Sequence, residues 1–239
     1  MKTVLITGAG RGIGLSCTKI FLENKWEVFA QYRQSDKELW KLQDQYKNLY
    51  PMKFDFFLEE DRADFIKFIR SFRIIDDPCH IDMLINNAGV HDLSGMQLDK
   101  INEVFLINAI FPSMLALEVF EIMKKNNLGG QIVNVSSIAA KYGSNTQNIF
   151  YGASKRALEA CTRTLARDGL SYNIMVNTVR PGVTDTKFHD GLKRNMEKRI
   201  KEIPFGRAAQ PEEISAMIYN FFGKGGCLTN QTITISGGE

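Results

Sequence analysis

Histidine, cysteine and proline are all scarce in this chain of 239 residues, with three, four and six of each. Cys17, Cys79, Cys161 and Cys227 lie far apart and form no CxxC pair. That argues against a zinc knuckle, a redox dithiol or a disulfide scaffold, and predicts buried, reduced thiols. His80, His91 and His189 lack a Cys, His or carboxylate partner at ligand spacing, so no metal site is expected. An excess of one charge is also lacking: 30 Lys and Arg against 27 Asp and Glu leave +3. Spread along the chain, so small an excess does not make a nucleic-acid surface. No apolar run approaches the ~20 residues that cross a bilayer. The apolar start, residues 4–6, is too short for a secretory signal. A cytoplasmic protein with neither nucleic-acid nor membrane partners is therefore expected. What the chain does have is a globular balance, 44% apolar and 24% charged, in a length that can bury a full core.

Short apolar runs alternate with longer segments of helical period. Strands are expected at 4–7, 28–31, 52–56 (after Pro51), 83–86, 131–135, 174–179 and 232–235. Helices are expected at 12–24, 36–46, 62–72, 101–124 (continuing through Pro112), 151–170 and 211–222, the last opened by Pro211. The strand candidates are apolar on both faces, as parallel strands covered by helices are. The pattern predicts an α/β, Rossmann-like, doubly wound fold: a seven-stranded parallel sheet flanked by helices on both faces, in a single domain over 1–239. The irregular stretch 184–210 leaves the carboxyl end of the sixth strand and reads as a small substrate lid. Its mild basic excess, with Lys187, Lys193, Arg194, Lys198, Arg199 and Lys201 facing Asp190, Glu197 and Glu202, suits an anionic substrate or a solvated helix face.

The first strand runs straight into Thr7-Gly8-Ala9-Gly10-Arg11-Gly12-Ile13-Gly14. Glycines let the chain turn tightly and bring backbone N–H groups close to a phosphate, and the next helix points its positive end at the same place. Gly14 lets that helix pack closely on the strand. The spacing is neither GxGxxG nor a Walker loop, but a strand before it and a helix after it are the context that dinucleotide binding requires. At the end of the second strand an acid would accept from the adenosine 2′-hydroxyl and repel a 2′-phosphate. Here the chain reads Gln31-Tyr32-Arg33-Gln34, with no acid before Asp36. Arg33 and Arg11 suit a phosphate dianion, so NADP is expected as cofactor, with NAD possible. Asp55, placed at the end of the third strand, is expected to accept from the adenine amino group.

Further motifs follow in order: Asn86-Asn87-Ala88-Gly89, Asn108 within a long helix, Ser136-Ser137, Tyr151-Gly152-Ala153-Ser154-Lys155, and Arg180-Pro181-Gly182-Val183-Thr184-Asp185-Thr186. Tyr151 and Lys155 are four residues apart and share one helical face. Reducing a carbonyl needs a hydride and a proton for the developing alkoxide. A neighbouring ammonium lowers the pKa of a tyrosine, ~10 when free, towards the range where it exchanges protons readily. A serine near it holds the substrate oxygen. Together these motifs resemble the short-chain dehydrogenase/reductase family in its compact form, over essentially the whole chain to Ile235-Ser236-Gly237-Gly238.

The resemblance implies an NAD(P)-dependent oxidoreductase with Ser137, Tyr151, Lys155 and Asn108 as its catalytic set, Ser137 being favoured over Ser136. It implies that Asn108 supports a water linking Lys155 to solvent, and that Lys155 also binds the nicotinamide ribose. Gly8, Gly10, Arg11, Gly12, Ile13 and Gly14 would hold the dinucleotide. Asn86, Ala88 and Gly89 would lie on the adenosine ribose side, and Pro181, Gly182, Val183 and Thr186 beside the nicotinamide. The substrate would be a small carbonyl compound or alcohol, and the assembly a homo-oligomer, tetramer or dimer. The segments 203–207 and 210–214 are similar to those of 3-oxoacyl-carrier-protein reductases. Asn126-Asn127 and Ser171-Tyr172-Asn173, however, stand where that group places basic residues. A non-catalytic nucleotide sensor or scaffold is the rival from another class, and the intact catalytic set argues against it. A sugar-nucleotide epimerase or dehydratase would bring a larger C-terminal domain and a GxxGxxG turn.

Overall fold

The computed structural model describes residues 1–34, 37–71, 80–91, 97–189 and 196–239. Its strands are β1 (Thr3–Ile6), β2 (Glu27–Tyr32), β3 (Leu49–Lys53), β4 (Met83–Asn86), β5 (Gly130–Val135), β6 (Ile174–Pro181) and β7 (Thr232–Ile235). They form one parallel sheet in the order β3-β2-β1-β4-β5-β6-β7. In β1, Val4 and Ile6 belong to the core on one face and Leu5 to the core on the other. A strand apolar on both sides has to be covered twice. One face is covered by α1 (Gly12–Glu23), α2 (Lys37–Gln45) and α9 (Pro211–Ile218), through Phe21, Leu39 and Ile214. The other is covered by α3 (Glu59–Ser71), α5 (Phe111–Asn126) and α7 (Ile149–Gly169), through Phe65, Leu115 and Leu165. Shorter helices are α4 (Leu98–Phe105), α6 (Ala139–Tyr142) and α8 (Met196–Lys201).

Three elements differ from the sequence reading, one of them the helix expected at 211–222, which is α9 continued by a π turn, Tyr219–Gly223. The third strand runs over 49–53 instead of 52–56, with Pro51 inside it. As β3 lies at the sheet edge, the missing proline N–H is tolerated there. The expected helix 101–124 is α4 and α5 joined by a π turn, Leu106–Ile110. Pro112 has no N–H for the Asn108 carbonyl, and Phe111 N–H donates to Leu106 O, five residues back. The combined helix, Leu98–Asn126, is by length and hydropathy long and apolar enough to cross a membrane, against the expectation that no segment is. Just over half (56%) of its most apolar 18-residue window is buried within the fold, as in the core helix of a folded domain.

The thiols are only partly as expected. Cys17 is buried on α1, and burial pushes its thiol up to about 12, whereas Cys161 and Cys227 are exposed. Cys79, Asp36, Phe72, Asp190, Lys193 and Arg194 lie outside the described residues.

The strand order reverses between β1 and β4. Their carboxyl ends, with those of β5 and β6, deliver four loops to one edge of the sheet, the place where open α/β sheets take ligands.

Candidate active site

These loops line a cleft of about 1500 Å³. At one wall, Gly8 (φ +64°) and Gly12 (φ +54°) turn the chain from β1 into α1. A Cβ on Gly8 would lie 2.9 Å from the Ala88 backbone. Thr7 Oγ1 accepts from the Asn87 and Ala88 N–H groups, locking this turn to the loop after β4. Arg11 caps α1 without a side-chain bond to its first turn, so those N–H groups are left for a ligand. Gly8, Gly10, Arg11, Gly12 and Ile13 all line the cleft, while Gly14 sits behind them, where it lets α1 approach Gly8. The residues present therefore fit the pyrophosphate of a dinucleotide.

Opposite stand Ser137, Tyr151 and Lys155, all lining the same cleft. The Tyr151 hydroxyl is hydrogen-bonded with Ser137. Lys155, one turn on in α7, donates Nζ to the Val135 carbonyl at 2.9 Å. Ser136 points elsewhere, donating to Glu159 Oε1 at 2.7 Å. The two serines are thus separated by what they touch. Asn108 is fully buried in the π turn, where it accepts from Val90 N–H (2.9 Å) and donates to Val90 O (2.8 Å). Its Oδ1 and Lys155 Nζ both come within 3.2 Å of where a Gly89 Cβ would stand, so only glycine leaves them room on that side.

Charge is costly here. Burial pushes the Tyr151 phenol up to about 12 against the opposing pull of Ser137, and pushes the Lys155 ammonium down to about 8. In the protein alone, desolvation is the largest influence on both groups.

The short chain dehydrogenase family model matches residues 2–197. The chain belongs to that family. Among short-chain dehydrogenases it is 30% identical to the uncharacterized oxidoreductase YgfF of Escherichia coli K12, over 100% of each chain. It is also 30% identical to a 3-oxoacyl-[acyl-carrier-protein] reductase of Chlamydia pneumoniae, over 99% of this chain and 96% of that one. The solved structure of 4-hydroxyisoleucine dehydrogenase complexed with NADH is 25% identical, with a TM-score of 0.88 over 100% of this chain and 98% of that one. The chain is thus an NAD(P)-dependent oxidoreductase.

Several expected positions move once the short-chain dehydrogenase cleft is seen. Asn86 does not reach it: its Nδ2 donates to Pro112 O and Asn134 Oδ1, both at 2.9 Å, in the core. Asn87 lines the cleft instead, with Ala88 and Gly89 as expected. Asp55 is absent from the lining. It lies beyond the end of β3, where its carboxylate accepts from Phe57 N–H and closes a turn. Phe56 and Phe57 occupy the wall there. Pro181, Gly182, Val183 and Thr186 line the other end. Thr186 Cγ2 would meet a Cβ on Gly12 at 3.0 Å, so the base of the 184–210 excursion leans on the glycine turn.

Of the other lining residues, sequence reasoning gave Glu38 no role, weighed His91 between a substrate contact and a surface residue, and read Arg199 as a lid charge. Glu38, on α2, lines the cleft and is paired with Lys41 at 2.7 Å. His91 is in the cleft, its ring 5.1 Å from Tyr151 and 4.0 Å from Phe188. Arg199, read as a lid charge, is buried and ion-paired with Glu239. Among the described residues no cluster of His, Cys, Asp or Glu is placed to hold a metal.

Proposed function

We propose that this chain is an NADP(H)-linked carbonyl reductase, an alcohol dehydrogenase in the reverse direction, with Tyr151 as general acid and base. The contact of Tyr151 with Ser137 beside buried Lys155, in the cleft that also holds the glycine turn, carries this reading. A dinucleotide held at the Gly8–Ile13 turn would supply the hydride for the carbonyl carbon. Ser137 holds the carbonyl oxygen against Tyr151, and Tyr151 delivers its hydroxyl proton to that oxygen as the alcohol forms. Lys155 anchors the nicotinamide ribose and favours the phenolate that is left. Asn108, by clamping Val90, fixes the Gly89 backbone against the Lys155 ammonium and supports the water through which Lys155 is reprotonated. The segment 184–210 serves as the substrate lid of a single domain, its base fastened where Thr184 pairs with Ala209. A panel of ketones, aldehydes and acyl thioesters, read by cofactor oxidation, tests the activity. The thioesters are included because a relative is a 3-oxoacyl-carrier-protein reductase. No oxidation above background with any of them would refute it.

The cofactor is proposed to be NADP(H). Gln31 at the end of β2 is spent inside the protein, accepting from Gly8 N–H and donating to Phe54 O. Arg33 lines the cleft with its guanidinium 5.1 Å from the Phe57 ring centroid. NAD(H) is the second reading, supported by the NADH of the structural relative and by Glu38. NADPH is expected to bind more tightly than NADH. Arg33→Ala should cost NADPH at least about tenfold, the ~1.5–3 kcal/mol of one charged hydrogen-bonded contact. Dissociation constants from cofactor fluorescence check both, and NADH binding as tightly as NADPH to the unaltered protein would overturn the choice.

A homo-oligomer, tetramer or dimer, is also proposed. Ile110, Met114 and Leu117 form an apolar stripe at helical spacing, each about half exposed. A closed two-fold pairing would cover it. Light scattering at micromolar concentration should give the mass of two or four chains, and Leu117→Glu should lower it. A monomer mass for the unaltered protein would refute the assembly.

A further inference from the structure

Arg199, on α8, is only 9% exposed and yet lines the cleft, where the proposed chemistry gives it no task. Its Nη2 donates to Glu239 Oε1, and among the described residues it meets no other acceptor. Glu239 Oε2 is buried and likewise has no partner among the described residues. The two side chains are thus joined through one atom of each. A carboxylate that fills a guanidinium fork uses two parallel bonds. Arg199 therefore keeps donors to spare, and the group it already holds is a carboxylate.

The pair stands close to the reacting groups. Ile138, which follows Ser137, donates its N–H to Pro181 O at 2.9 Å. Gly182 N–H donates to Ile235 O at 2.7 Å, and a Cβ on Gly182 would lie 2.7 Å from Ser236 Cα. Ser236 Oγ in turn donates to Glu239 O at 2.9 Å. Ser137, Gly182 and Ser236 follow the adjacent strands β5, β6 and β7, so Ser137 and Ser236 are about 10 Å apart, two strand separations.

Fastening the chain here does not require the pair. Phe205 N–H donates to Gly237 O at 2.9 Å. A Cβ on Gly237 would meet Ile203 Cγ2 at 2.8 Å, and one on Gly238 would meet Pro204 Cβ at 3.1 Å. These contacts hold the backbone of 237–238 against 203–205, so rotation of the Glu239 side chain is enough to release the guanidinium. A buried ion pair also adds little stability over apolar packing.

We infer that Arg199 binds a carboxylate of the substrate, with Glu239 competing for the same guanidinium. The substrates are then oxo acids and the matching hydroxy acids, carbonyl oxygen at Ser137 and Tyr151 and carboxylate on Arg199. The inference rests on the proposed carbonyl reduction and names its substrate class.

Pyruvate, acetoacetate, 4-oxopentanoate and 5-oxohexanoate, each beside its methyl ester, test it in the full chain with NADPH. For at least one acid, kcat/KM should exceed that of its ester about tenfold or more, the size of one charged hydrogen-bonded contact. That acid-to-ester ratio should fall at least about tenfold in Arg199→Gln. In Glu239→Gln, which removes the competing charge at nearly the same shape, the ratio should rise several-fold. A pair that only fastens the chain would lose activity with acid and ester alike in both variants. The inference is overturned if no acid exceeds its ester, or if the ratio fails to move in opposite directions in the two variants.

A second measurement needs no turnover. In protein with labelled arginine side chains, the Arg199 Nε–H signal is identified by its loss in Arg199→Lys. With NADP present, it should shift saturably with at least one of the acids and not with the matching ester. No shift with any acid would overturn the inference, even if Arg199→Gln failed to fold. A saturable shift without turnover would count against the proposed reduction and support the carboxylate site.

Discussion

Tyr151→Phe is expected to slow turnover by ~10²–10⁴-fold, the range for losing a positioned general acid, while changing NADPH affinity little. The ring stays and only the hydroxyl goes, so packing against His91 and Phe188 survives. The glycine turn and Arg33, where phosphate contacts are expected, lie elsewhere along the cleft. With its phenol held up at about 12 in the protein alone, Tyr151 is protonated at neutral pH and ready to donate in the reductive direction. Taking a proton from an alcohol requires the phenolate, which burial disfavours, so oxidation should be the direction that gains more from raised pH. Ser137→Ala should also damage turnover severely, since it removes the partner of Tyr151. Ser136→Ala should cost far less, because its hydroxyl faces Glu159. Turnover of Tyr151→Phe at the rate of the unaltered protein would sink the catalytic assignment and bring the non-catalytic nucleotide-sensing reading forward.

The second large effect is expected at Gly14. A Cβ there would stand 2.2 Å from the Gly8 carbonyl oxygen and 2.6 Å from Asn87 Nδ2. Neither can step aside cheaply. The first is backbone, and Asn87 Nδ2 donates to the Thr7 and Gly8 carbonyls at 2.9 and 3.1 Å. In Gly14→Ala, α1 must move away from the turn, taking its first N–H groups with it. Overpacking of this kind costs about 1–3 kcal/mol, and each kcal/mol lowers Tm by roughly 2–4 °C at this chain length. NADPH affinity should fall at least about tenfold, because the same displacement spoils the phosphate cradle. Thermal denaturation and cofactor titration check the two halves separately. An unchanged Tm together with unchanged affinity would show that the turn is not as tightly closed as the geometry states.

The sequence alone determined the order of strands and helices, since burial on both faces of a parallel sheet demands unbroken apolar runs such as residues 83–86 and 232–235. It also determined the glycine turn and the Tyr151–Lys155 pair, because those depend on residue type and on spacing within one element. Tertiary structure decided everything that depends on where a side chain points across the fold. Neighbours Asn86 and Asn87 are indistinguishable in the chain. Asn86 turns into the core towards Pro112 and Asn134, and Asn87 towards Thr7, eighty residues away. Asp55 was misplaced because β3, an edge strand, starts and ends earlier than its apolar pattern suggested, so the carboxylate closes a turn. His91 carries no spacing signal, since the rings it meets come from α7 and from the turn after β6. Glu159 looks like one more helical acid until β6 brings Arg180 beneath it. The shifts of Tyr151 and Lys155 likewise follow from the fold: spacing puts the pair together, but only packing decides how much water reaches them, and burial raises the phenol and lowers the ammonium.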